Sequence, residues 1–502
     1  MIWTITFILS ALLAVFVFFT GTTRRKNEPP LDKGYIPWLG HAIHLGKDAA
    51  NFLAQMKKKH GDIFTVHVAG RNVTVLLDPH SYDAVVMESS SKLDFNKYAH
   101  LLMKRIFDLQ LPDHDSVEEK ATMKMHLQGE HLELLNIRMQ SNLCSHLLSV
   151  LNGHNHMWKE DGLLHFCYST MFCCGYLTLF GNEAYPETSS FASQSSDVYK
   201  EFRKFDELLM KIVRASLTSG EKKEVRGIKE RLFDLLSSSR LGAKLNQSSW
   251  LKNYRLHLVK QGVNEEMLRR AMLLQLWATQ GNTGPAAFWL MVMLLKHPDA
   301  LIALKDELNT FLKPKNDRQD PNAFLLSVSE VIRGCTPILD STLNETLRMT
   351  AAPFITREIL QNMTLTMADG QQYNLRKGER ICLFPYLSPQ MDPEVHYEPE
   401  KFKYNRFLNQ DGSPKTDFFK GDKKLKYSNM PWGAGRNICV GRQFAINSIK
   451  QFIFIMLMAF DVELCDSEAS LPEVDVSRYG FGMLQPKKDI KIRYRLKMRN
   501  FT

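Results

Sequence analysis

One cysteine of the eight stands in unusual company. Residues 430–442 read Met-Pro-Trp-Gly-Ala-Gly-Arg-Asn-Ile-Cys-Val-Gly-Arg, so Gly433, Gly435 and Gly441 crowd around Cys439. Glycine tolerates backbone conformations closed to other residues and lets N–H groups approach a ligand atom. From Arg442 to Phe460 the apolar residues Phe444, Ile449, Phe452, Ile453 and Met456 recur at helical spacing. Cys439 is therefore predicted in a glycine loop at a helix amino terminus, where the helix dipole and N–H donors favour thiolate over thiol. A thiolate so placed suits an iron ligand tuned by hydrogen bonds to sulfur. A buried structural thiol is the competing account.

Two other segments could position chemistry. Glu345-Thr346-Leu347-Arg348 falls in a helical pattern from Pro337 to Met349, with Thr336 suited to its cap and Pro337 to its first position. Glu345 and Arg348 at i,i+3 share a face and can pair, as a surface ion pair or as something deeper. Residues 264–296 form a long apolar run that should be a buried helix. Its middle reads Trp277-Ala278-Thr279-Gln280-Gly281-Asn282-Thr283-Gly284-Pro285. Pro285 has no N–H for the carbonyl of Gly281, so the helix must open there.

These segments together resemble the cytochrome P-450 family. In its FxxGxRxCxG signature Gly435, Cys439 and Gly441 match, Trp432 replaces Phe, and Asn437 replaces the Arg that usually meets a haem propionate, with Arg436 one place early. Glu345 and Arg348 match its ExxR, and Phe402 to Phe407 resembles its PERF-like stretch, which implies a buried Glu345–Arg348–Arg406 network on the proximal side. The resemblance implies haem b with Cys439 as axial thiolate and metal ligand. It places Lys120, Arg357 and Asn437 at the cofactor, with Lys124 as a further basic candidate; a surface arginine is the alternative for Arg357. It also implies a mainly α fold with small antiparallel β-sheets, preceded by one N-terminal transmembrane helix. Against the family pattern (A/G)-G-x-(D/E)-T-T, Gly281 falls on the acid and Asn282 on the first Thr. An amide is a poor proton donor, which points away from oxygen activation, although family members that hydroxylate sterols also carry Asn here.

A narrower resemblance, to the endoperoxide isomerases of that family, runs through residues 59–86, 105–108, 276–290, 350–358, 402–408 and 477–481. It implies that prostaglandin H2 is the substrate and prostacyclin the product. The substrate carries its own oxygen, so no reductase, NADPH or dioxygen is required. Asn282 and Cys439 are then the catalytic candidates, and Trp277, Asn282, Tyr479 and Phe481 the substrate-binding ones. Ordinary core packing is the alternative for the aromatic three. Competing functions are a steroid or bile-acid monooxygenase, which would depend on a reductase, and a non-enzymatic haem or lipid binder, against which the thiolate site argues.

The remaining sequence frames this site. The 502 residues are 44% hydrophobic and 24% charged, with no linker or repeat to split them. The other cysteines form no CxxC pair and read as reduced, buried thiols. The net charge of +10 fits a solvated surface or attraction to anionic headgroups or an acidic partner. No basic run interleaved with aromatics suggests nucleic acid. Ile2 to Thr20 carries no charge and is followed by Arg24, Arg25 and Lys26. That reads as a membrane span with the remainder cytosolic; a cleaved signal peptide fits less well, because no basic residue precedes the run. Residues 1–26 are thus expected to be an anchor in the endoplasmic reticulum membrane, and 27–502 one catalytic domain, monomeric. Pro29, Pro30, Pro37 and Gly40 should form a stiff strut between them. The sequons at Asn72, Asn246, Asn344, Asn362 and Asn500 should then carry no glycan.

Overall fold

The computed structural model describes residues 2–20, 24–111, 116–151, 157–183, 193–312 and 321–497; Asn500 lies outside them. The uncharged amino-terminal run is a helix, Ile2–Thr20. At 1.5 Å per residue it spans about 28 Å, close to the hydrocarbon thickness of a bilayer. Trp3, Phe7, Leu12 and Leu13 on it are exposed rather than packed in the core. The basic cluster behind it is not wholly free for headgroups. Arg24 pairs with Glu379 at 3.0 Å and is mostly covered, while Arg25 and Lys26 are exposed. The strut then enters the fold as strand Leu31–Asp32, where Asp32 binds His41 (2.8 Å), Lys59 (2.7 Å) and His60 (3.1 Å).

Helices dominate, as expected. Leu163–Phe180 is apolar on all sides and lies almost wholly inside the globule, so it is a core helix in spite of its membrane-like length and hydropathy. It packs on the equally buried Thr283–Lys296. The approach is close because Gly284 has no side chain: a Cβ there would lie 2.5 Å from the Tyr168 ring. Pro337–Thr350 and Arg442–Ala459 complete the same hydrophobic cluster.

The largest sheet has six strands in the order Leu31–Asp32, Ile63–Val68, Arg71–Leu76, Arg380–Leu383, Ile355–Ile359 and Leu93–Asp94. It is mixed rather than antiparallel throughout. Leu31–Asp32 with Ile63–Val68, and Arg71–Leu76 with Arg380–Leu383, pair in parallel across long intervening chain, as parallel pairs must. Among the described residues the other three sheets are small and antiparallel. Cys167, Cys173, Cys174 and Cys382 are buried thiols as expected, but Cys144 is only half-buried, and Cys335 and Cys465 are exposed, because each of those two lies outside a helix or strand.

Candidate active site

The glycine loop is shaped by what it touches. Gly435 has φ +61°, and a Cβ on it would come within 2.6 Å of Val86. Residues Gly435–Asn437 make one 3₁₀ turn, the Cys439 N–H donates to the Trp432 carbonyl at 2.9 Å, and the helix Arg442–Ala459 starts three residues later. The backbone N–H groups of Gly441 and Arg442 lie beside the Cys439 sulfur and favour its thiolate, and the Arg442 N–H donates to the Cys439 carbonyl at 3.4 Å. These groups do not make the sulfur a thiolate unaided: burial outweighs them and pushes the thiol above its ordinary value. The donors thus favour the thiolate, as expected, and a bound cation adds to them against the cost of burial. The residue keeps accessible surface, but that surface opens on a cavity.

This cavity, of about 410 Å³, is lined by Cys439, Trp432, Phe354, Leu347, Ile449 and Ala286 among its apolar wall residues, and by Asn282, Asn437 and Arg357. Cations gather at one edge. Arg357 is buried and donates to the carbonyl of its neighbour Thr356 at 2.9 Å, with its guanidinium 5.4 Å from the Phe95 ring. The Lys120 ammonium lies 5.5 Å from the same ring and donates to Asn437 Oδ1 at 2.7 Å. Burial pulls both cations below their ordinary values, and Arg357 lowers Lys120 further. Among the described residues neither reaches a carboxylate at ion-pair distance, so both can accept an anionic group. Lys124 is exposed on the same helix, Ser116–Met125.

On the distal side the long apolar run is two helices, Glu265–Gln280 and Thr283–Lys296, broken at Gly281 and Asn282 as Pro285 demands. The freed Gly281 carbonyl finds the Tyr168 hydroxyl at 3.4 Å. Asn282 lines the cavity, and its Oδ1 accepts the Met483 N–H at 3.1 Å.

The cytochrome P450 profile matches residues 29–492. The chain belongs to the cytochrome P450 family. It is 53% identical to prostacyclin synthase of Homo sapiens over 479 residues, 95% of each chain. It is 52% identical to prostacyclin synthase of Bos taurus over 502 residues, 99% of this chain and all of that one. It is also 41% identical to 7-alpha-hydroxycholest-4-en-3-one 12-alpha-hydroxylase of Homo sapiens over 500 residues, 97% of this chain and 98% of the other. The cofactor of the family is haem, its iron held by a cysteine thiolate. The cavity fits that group: an apolar slot, one thiol with two N–H donors, and at the edge a buried Arg357 and a half-buried Lys120 that meet no carboxylate among the described residues.

The proximal framework of a P450 is present in full. Glu345 accepts two bonds from Arg348 (2.7 and 2.9 Å), two from Arg406 (both 2.9 Å) and the Lys403 N–H (3.1 Å), with Glu345 and Arg348 fully buried. Arg348 also donates to the carbonyls of Gln390 and Pro399, both at 2.7 Å. One detail of the helix differs from the expectation. Thr336 occupies the cap position but does not cap; its hydroxyl donates to Asp340. The free N–H groups of Ile338 and Leu339 are taken instead by Glu307, at 2.7 and 2.9 Å.

The four residues predicted to line the substrate pocket divide. Trp277 and Asn282 line the cavity, whereas Tyr479 and Phe481 do not. Positive φ at Gly480 (+96°) and Gly482 (+83°) turns the chain between them. Tyr479 then packs against Phe384 and Tyr386, and Phe481 against the other main helical cluster. Met483, Gly482, Phe354 and Thr283 take their places. Phe354 was within reach of sequence reasoning, since it stands three residues before Arg357. Met483 was not, because only the glycine twist brings it inward.

Proposed function

We propose that this chain converts prostaglandin H2 to prostacyclin at the Cys439 cavity, without dioxygen or a reductase. The observation that carries the reading is the broken helix. Where oxygenases of the family usually carry an acid and an alcohol to move protons, this chain has Gly281 and Asn282, and among the described residues the ionisable ones lining the cavity are Arg357 and Cys439. The relatives at 53% and 52% identity named prostacyclin synthase support it.

When bound, haem b supplies the redox chemistry that opens the substrate's O–O bond. Cys439 would hold the iron, with the Gly441 and Arg442 N–H groups tempering its charge. Arg357 and Lys120 would hold the propionates, with Asn437 fixing Lys120 in position. The family's arginine at position 437 is thus replaced by a lysine reaching in from another helix. Asn282 has its carbonyl occupied by Met483, which leaves the amide Nδ2 as the donor for an endoperoxide oxygen. Trp277, Phe354 and Met483 present apolar surface that orients the lipid chains and excludes water.

Residues 1–26 tether a monomeric catalytic domain, 27–502, to the cytosolic face of the endoplasmic reticulum. The test is product formation by the purified, oxidised holoprotein given prostaglandin H2 and no reductant. Prostacyclin should form at a rate that added reductase and NADPH leave unchanged. The 41% identity to a sterol 12-alpha-hydroxylase supports a second reading, a sterol monooxygenase. NADPH-dependent sterol hydroxylation with no turnover of the endoperoxide would establish it instead.

A further inference from the structure

The reaction as read above leaves a buried carboxylate unused. Asp206 sits on the helix Ser193–Val213 with 1% of its surface accessible, and it is the hub of a polar cluster outside the cavity. Its Oδ1 accepts from Arg478 Nη2 at 2.7 Å. Its Oδ2 accepts from Gln485 Nε2 at 2.8 Å, from Arg203 Nη1 at 3.3 Å and, at 3.5 Å, from the Tyr168 hydroxyl. Its backbone carbonyl takes a further bond from Arg478 Nη1, at 3.3 Å.

The two shortest of these contacts come from residues that bracket one loop. Between Arg478 and Gln485 lie Gly482, where a Cβ would be 2.6 Å from Asn282 Oδ1, and Met483, whose N–H holds that same oxygen. The Tyr168 hydroxyl beside Asp206 is also the group that meets the freed Gly281 carbonyl at 3.4 Å. One carboxylate therefore touches both supports of Asn282: the loop that grips its side chain and the tyrosine that serves its helix break. An amide turned end for end would offer the substrate an acceptor in place of a donor. Its direction must be fixed from outside, and the Met483 N–H does that only while the loop stays in place.

We infer that Asp206 is a positioning residue for this reaction: it clamps both ends of the 478–485 loop and so fixes the direction in which Asn282 presents its amide to the substrate. The inference rests on the isomerase reading for the role of Asn282, but the clamp itself does not.

The test uses two variants of the holoenzyme. Asp206→Asn removes the charge and leaves the buried Arg478 uncompensated. Gln485→Leu removes one bond to the hub, keeps the ion pair, and serves where the first variant does not fold. Amide hydrogen exchange over residues 478–485 should quicken about tenfold in either, the effect of one buried hydrogen bond, with residues 290–294 of the buried helix unchanged. Turnover of prostaglandin H2 should fall about tenfold in kcat with KM little altered. In an Asn282→Ala background the same variant should cause no further loss, because the group through which it acts is gone. Unchanged exchange in the loop overturns the clamp. An equal loss of kcat in the Asn282→Ala background overturns the positioning role. If the unsubstituted protein shows no turnover, the isomerase reading fails and this role of Asp206 with it, while the exchange result still decides whether Asp206 holds the loop.

Discussion

Glu345 and Asn282 stand on two sides of the same site and are held in contrasting ways. Glu345 has five bonds on its two oxygens, no accessible surface, and partners drawn from its own helix and from the 403–406 segment. Asn282 has one bond on its carboxamide oxygen, a backbone outside regular helix (φ −113°, ψ −32°), and a neighbouring carbonyl served only at 3.4 Å. The proximal side holds what every P450 must hold, a thiolate at a fixed distance from iron, and redundant bonds suit that task. The distal side selects a reaction. There the backbone is opened by Pro285, and a single amide stands where the family usually has a pair of proton-handling groups. Rigidity is concentrated at the shared chemistry, and specificity resides where fewer bonds define the geometry.

The largest effect should come from Cys439→Ser. The red-shifted Soret band that thiolate ligation gives the reduced carbon monoxide complex should vanish, and turnover with it, because an alkoxide or water ligand does not push comparable density onto iron. Retention of that band would place the ligand elsewhere. Next comes Glu345→Gln. It strands two guanidinium groups, one of them fully buried, and should cost about 3–5 kcal/mol in denaturant unfolding of the holoprotein. A cost near that of a surface pair, about 0–1 kcal/mol, would remove the contrast drawn above.

On the distal side Asn282→Ala should leave the thiolate spectrum and the unfolding curve nearly unchanged. It should slow prostaglandin H2 turnover by about 10²-fold, the scale of a 1 Å misplacement of reacting atoms. Gly281→Asp with Asn282→Thr restores the acid and alcohol of an oxygenase and should not raise the isomerase rate. A side chain at 281 also meets the Trp277 carbonyl, its Cβ at 2.8 Å. A gain in rate from that double variant would mean that proton delivery limits the reaction, contrary to the isomerase chemistry.

The proximal side was the more legible in sequence for a physical reason. Its chemistry lies in short segments, Glu345 to Arg348, Phe402 to Phe407 and Gly433 to Gly441, in which local spacing fixes who can meet whom. The helix break was legible too, since a missing N–H at Pro285 has only one consequence for Gly281. The walls of the pocket were not. Whether Tyr479 or Met483 faces the cavity depends on positive φ at Gly480 and Gly482, and a glycine permits that twist without announcing it. The Glu307 cap was hidden for another reason: its partners Ile338 and Leu339 lie far along the chain, and Thr336 offers a local hydroxyl at the cap position. The charge state of Cys439 needed the burial around it, which no spacing encodes.

The smallest effect tests whether the cation at the propionate edge has moved from position 437 to Lys120. Asn437 contributes a neutral acceptor to a charged donor at 2.7 Å. Asn437→Ala should weaken haem retention by about 1.5 kcal/mol, roughly tenfold, measured as transfer of haem to an acceptor protein. Lys120→Gln should lose more, because it removes a charge at that edge, and Arg357→Gln more again, because that guanidinium is the more deeply buried of the two. Asn437→Arg restores the family residue, yet it should not improve retention. A guanidinium there displaces the acceptor that steadies Lys120 and brings a third cation beside two already held below their ordinary values. If Asn437→Arg tightens the haem while Lys120→Gln changes nothing, the lysine is a bystander and the edge works as in other members of the family. If Lys120→Gln is harmful alone and is rescued by Asn437→Arg, the two positions are alternative homes for one charge. That rescue is the expected result.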